Sequence, residues 1–135
     1  MRNLKIAGLM FFVALNLLIA SFAAAADDAV VTPLVQKALP DILGKEVLML
    51  TVVYPPGSAD PIHRHNAHGF IYVLEGTIVM QVRGGKEVTL TPGQTFYEGP
   101  DDIHTVGRNS SSTKPAKFLV FLLKNKGAPV LIPAK

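Results

Sequence analysis

Three histidines, His63, His65 and His68, fall within six consecutive residues, and a fourth, His104, follows in the second half of the chain. Side chains at i and i+2 of a strand point the same way. On a strand, His63 and His65 would face one interior together, with Ile62 and Arg64 on the other side. Two imidazoles held side by side make a clamp suited to a borderline divalent metal. The run Ser58–Gly69, SADPIHRHNAHG, also reads as a polar loop with exposed histidines. The spacing alone leaves both readings open.

Composition removes several other chemistries. There is no cysteine, hence no disulfide, no thiolate ligand and no Cys nucleophile. Residues 1–26 read as an export signal: Arg2 and Lys5, an apolar run from Ile6 to Ala20, then Ala23 to Ala26. The alternative is an uncleaved anchor, since Ile6 to Ala26 spans 21 residues and about 20 cross a bilayer. Asn16 interrupts that run, and Ala24-Ala25-Ala26 fits a signal-peptidase site. The expectation is a bacterial periplasmic or secreted protein beginning near Asp27, with no membrane contact after cleavage. Loss of Arg2 and Lys5 lowers the net charge from +3 to about +1, so the basic balance gives no argument for nucleic acid.

The elements that must position the histidines are strands. Residues 27–45 form a lead-in broken by Pro33 and Pro40, with room for one helical turn over Leu34–Leu39. Val47–Tyr54 (VLMLTVVY) is β-branched and apolar on both faces, as a buried strand is. Phe70–Leu74, Thr77–Arg83, Lys86–Leu90, Thr95–Glu98, His104–Arg108 and Ala116–Leu123 follow as strands. Gly84-Gly85 predicts a tight hairpin, and Thr91-Pro92-Gly93-Gln94 a turn. Residues 124–135 form a loosely docked arm. Seven or eight short strands without an amphipathic helix define an all-β sandwich or barrel. The apolar faces of Val47–Tyr54 and Ala116–Leu123 exceed what one small barrel covers, which predicts a homodimer.

The residues around the histidines carry a resemblance. From Gly57 there are five residues to His63, one to His65 and ten to Gly76. From Gly93 there are five to Gly99, then Pro100, His104 and Asn109. This resembles the two cupin signatures, G-x5-H-x-H-x3,4-E-x6-G and G-x5-P-x-G-x2-H-x3-N. Tyr72-Val73-Leu74-Glu75-Gly76 and Thr91-Pro92-Gly93 are similar to the family as well. The resemblance covers about residues 46–123 and implies a double-stranded β-helix, a jelly-roll barrel, with one divalent transition metal (Fe, Mn, Zn or Ni) inside. It places His63, His65 and His104 on that metal.

Two departures matter. The family's glutamate ligand should precede Gly76 by seven residues, and Gly69 stands there. The expected site is thus three imidazoles with a gap at Gly69 filled by water or substrate, an ion keeping most of its charge, and His68 as a possible substitute ligand. In the second motif Gly99-Pro100-Asp101 replaces Pro-x-Gly, and Asn109 is one residue late. Glu98 ends a strand leading to the His104 loop. It is either a general base near the metal or a rim carboxylate in water. Gln94, Tyr72 and Tyr97 are possible pocket donors, and Asp101 or Asp102 a possible acceptor for an imidazole N–H.

Three protein ligands with open positions is a catalytic layout. The resemblance implies a metal-dependent enzyme for a small organic molecule, either dioxygenase-like or a Lewis-acid lyase or isomerase. A non-catalytic periplasmic cupin binding a metal or small ligand is the alternative.

Overall fold

The computed structural model describes residues 26–135. The expected export signal lies outside the described residues except for Ala26.

Ten strands are present, and no helix occurs among the described residues: β1 Val30–Ala38, β2 Lys45–Tyr54, β3 His63–Arg64, β4 Ala67–Glu75, β5 Ile78–Val82, β6 Val88–Leu90, β7 Thr95–Glu98, β8 His104–Asn109, β9 Ala116–Asn125 and β10 Ile132–Pro133. They form two five-stranded sheets, ordered β1-β2-β9-β4-β7 and β10-β3-β8-β5-β6. Neighbouring strands run antiparallel throughout. This is the expected all-β class, a double-stranded β-helix.

Period-two patterning builds the core. Leu48, Leu50, Val52 and Tyr54 of β2 face inward with Phe118, Val120 and Leu122 of β9 and Ile71 and Val73 of β4. The Tyr54 and Phe118 rings meet edge to face at 4.9 Å. Outward residues of β2 are half-buried rather than buried, so β2 covers one face of the barrel, not two.

Three expectations about chain paths change. The lead-in carries a nine-residue strand, β1, in place of a helical turn. Pro33 is tolerated because β1 is an edge strand and its pairing with β2 slips between Pro33 and Val35. The Gly84-Gly85 connection spans Arg83–Glu87, wider than a two-residue hairpin, and only Gly84 of the pair has positive φ. The C-terminal arm adds β10, with Ile132 opposite Arg64 and Pro133 opposite His63.

Candidate metal centre

β3 and β8 bring the histidines together. His63 and His104 are direct cross-strand partners. Strand parity alone would put His104 on the face opposite Gly107 and Asn109. The ladder with β5 slips between Gln81 and Val82, and His104 turns inward with them. His63 Nε2 lies 3.2 Å from His65 Nε2 and 3.4 Å from His104 Nδ1. The ligand atoms of the three histidines lie within 4.8 Å of one another. His63 and His65 face the same interior, as their i, i+2 spacing requires.

Backbone carbonyls orient two of the rings. His63 Nδ1 donates to Pro61 O at 2.7 Å, and His65 Nδ1 to Val130 O at 2.5 Å. Both Nε2 atoms therefore carry their lone pairs toward each other unless a cation stands between them. Nitrogens bound to one metal at about 2.0–2.1 Å sit roughly 3 Å apart, the spacing observed. His104 Nε2 is buried with no hydrogen-bond partner among the described residues. The donor set fits a divalent transition metal.

Glu98 is the residue that changes the expected site. It is inward at the end of β7, 4% exposed, and not a rim carboxylate. Its Oε1 is 3.1 Å from His65 Nε2 and its Oε2 is 3.6 Å from His104 Nδ1. Burial opposes its charge, but the hydrogen bond from His65 and the surrounding imidazoles outweigh burial and lower its pKa. Burial likewise opposes a proton on His65, but Glu98 wins and raises that pKa. His104 is shifted down, chiefly by burial.

Gly69 stands directly opposite Glu98 on β4. A Cβ on Gly69 would meet Glu98 Cγ at 2.8 Å and Oε1 at 3.0 Å. The expected water- or substrate-filled gap is filled by a protein carboxylate, so the site does not lack negative charge.

His68 is not among the clustered residues. Its exposed ring stacks on Tyr97 on the outer face and shares a 2.8 Å hydrogen bond with the Tyr97 hydroxyl. Strand alternation on β4 puts His68 outside whenever Gly69 faces in. Tyr72 and Tyr97 are exposed on that same face. Gln94 accepts from Thr91 within its turn, and Asp102 accepts from the Gly99 N–H at 2.6 Å; neither orients an imidazole.

The histidines open onto a cavity of about 330 Å³ with apolar walls that include Leu48, Leu50, Ile71, Phe118 and Val120. Two lining residues escape the sequence reading. The Tyr54 hydroxyl donates to Asp60, and its pKa is raised by burial and then by Asp60. A Cβ on Gly107 would meet Tyr54 Oη at 2.9 Å, His104 Cε1 at 3.0 Å and Asp60 Oδ2 at 3.2 Å. The Tyr54–Asp60 pair therefore stands beside His104. The even-numbered inward parity of β2 is the signal for Tyr54. Nothing local marks Asp60.

The fold and the histidine cluster define a jelly-roll protein with three donors that could hold a metal ion. The chain belongs to the cupin family: the Cupin_2 cupin domain model matches residues 50–122. No curated protein matches the sequence. Solved structures do. The Cupin_2 domain of an XRE family transcriptional regulator from Enterobacter cloacae is 28% identical, with TM-score 0.52, over 70% of this chain and 94% of that one. The DMSP lyase DddQ from Ruegeria pomeroyi is 20% identical, with TM-score 0.57, over 65% of this chain and 43% of that one. Oxalate oxidase in complex with glycolate is 22% identical, with TM-score 0.59, over 77% and 54%. This chain thus spans about half or less of the two enzymes.

Proposed function

We propose that this protein is an exported, metal-dependent cupin enzyme that converts a small oxygenated or unsaturated organic molecule. The observation that carries the reading is the convergence of His63, His65 and His104 on the wall of an apolar cavity. A divalent transition ion bound there would supply Lewis-acid or O2-dependent chemistry.

The chain's own residues do the rest. Pro61 O and Val130 O hold the Nδ1 protons of His63 and His65, leaving Nε2 free to ligate. The aliphatic walls bind a carbon skeleton and exclude water, which strengthens electrostatic interactions within the cavity. The buried Tyr54 hydroxyl stays protonated and keeps Asp60 beside His104 as an acceptor for a substrate hydroxyl. A cavity of about 330 Å³ is at the small end of ligand pockets, which suits a metabolite rather than a polymer. The family hosts a lyase and an oxidase on this fold, so the fold does not choose the reaction.

The test is metal analysis of the purified protein. Turnover and O2 uptake are then screened with small hydroxy, oxo and unsaturated acids after loading with Fe(II), Mn²⁺, Ni²⁺ or Zn²⁺. Metal-dependent turnover supports the enzyme. Stoichiometric metal with no turnover supports a second reading, a ligand-binding cupin. That reading is favoured by the likeness to a cupin domain of a transcriptional regulator. Intact mass of the exported protein tests loss of residues 1–26.

A further inference from the structure

We propose that Glu98 is a metal ligand: the carboxylate missing at Gly69 of β4 is delivered across the ladder from β7. The inference rests on the metal reading above and adds a donor to it.

Four observations converge. Gly69 and Glu98 are register partners on adjacent strands, both facing inward. The Glu98 side chain occupies the volume that a side chain on Gly69 would need, with 2.8 Å left to Cγ. Oε1 and Oε2 stand 3.1 and 3.6 Å from nitrogens of His65 and His104, the same separation as between the imidazoles. The carboxylate is also buried, and buried charges are paired or coordinate metals. Inward alternation on β7 presents the carboxylate from the strand next to the usual one, and glycine on β4 is what makes room for it. The site then carries one negative ligand and holds the ion more tightly than three neutral imidazoles would.

The experiment uses apo protein titrated with Co²⁺ and Zn²⁺, read by calorimetry and by the visible spectrum of bound Co²⁺. Glu98→Ala and the near-isosteric Glu98→Gln should each weaken affinity by about 10- to 100-fold and alter the Co²⁺ spectrum. Gly69→Glu alone should be destabilised by its clash with Glu98. The double variant Gly69→Glu/Glu98→Gly, which moves the carboxylate back to β4, should recover affinity to within a few-fold of the wild type. Wild-type affinity and spectrum in Glu98→Gln would overturn the inference, as would a double variant no tighter than Glu98→Ala. A crystal structure of the Mn²⁺-loaded wild type decides without any substitution: a Glu98 oxygen bound to the ion supports it, and one beyond about 3 Å removes it. A wild type that binds no metal at all defeats the metal reading itself, a result distinct from either.

Discussion

The ring of His65 is held by the carbonyl oxygen of Val130, 65 residues further along the chain, at 2.5 Å. A segment expected to be a loosely docked arm therefore orients a predicted ligand. Leu131 and Val130 also line the cavity, and β10 pairs with β3 beside His63. Removing residues 128–135 should weaken Zn²⁺ binding by about 10- to 100-fold, as loss of a histidine's orienting partner does. The barrel should still melt cooperatively. Calorimetric titration of the truncated protein measures the first effect and a thermal melt the second.

Each of His63→Ala, His65→Ala and His104→Ala should remove most of the bound metal. His68→Ala should leave metal content unchanged, because His68 is on the outer face with Tyr97. Metal-to-protein ratios after dialysis against a weak chelator compare the four variants. Equal loss in His68→Ala would show that the outer face binds metal too.

Asn109 is buried, and its Nδ2 lies 3.0 Å from Tyr54 O, 3.1 Å from Pro55 O and 2.8 Å from Lys114 O, while Oδ1 accepts from Ser111 N at 2.9 Å. It ties the ends of β2 and β8 to the loop before β9. Asn109→Ala would strand buried carbonyls and should destabilise the protein by about 1–3 kcal/mol. Denaturant unfolding of the apo protein gives the value.

Glu46 and Lys124 form a buried ion pair at 2.5 Å at the opposite end of sheet β1-β2-β9-β4-β7 from Tyr54. The Lys124 hydrogen bond first, then those from Gln36 and Gly127, hold the Glu46 pKa down to about 2 from 4.5. The unfolded chain takes up this proton near pH 4.5, whereas the folded chain resists until about 2. The stability it contributes is therefore complete above pH 4.5 and is lost as pH falls through about 2. Urea midpoints across that window should fall more steeply for the wild type than for Glu46→Gln.

The purified protein should be a dimer. Val30, Val31, Leu34 and Val35 of β1 are each half exposed or more, and among the described residues β1 has no neighbour on its outer edge. An edge strand this apolar is a pairing surface. Light scattering at micromolar concentration should give twice the chain mass, and Leu34→Asp should shift it toward the monomer.

The histidine pair was legible because strand parity is local: His63 and His65 needed only their spacing. The all-β class was legible from strand length and turn residues, and the jelly roll only through the resemblance that the glycine and histidine motifs carry. Glu98 and Val130 O were not resolvable by such means. Whether Glu98 faced in depended on where β7 began, and the sense of the Gly69 gap depended on which residue the ladder set opposite it. Asp60 and the His65–Val130 bond arise from loops whose path no periodicity encodes. The helical turn expected after Pro33 failed for a related reason: pairing with β2 outweighs local propensity, and an edge position forgives the missing N–H.

β9 is the middle strand of its sheet, paired along Lys45↔Asn125 to Tyr54↔Ala116 with β2 on one side and with β4 on the other. That placement sets the order of events during synthesis. Until about Asn125 has emerged, β2 and β4 have no common neighbour, and the apolar run VLMLTVVY stays without its main partner. Pairing of β9 with β2 joins segments some 70 residues apart, a long-range contact of the kind that slows folding. β2 and β4 are therefore joined into one sheet only once β9 has been made, and His65 gains its Val130 partner later still.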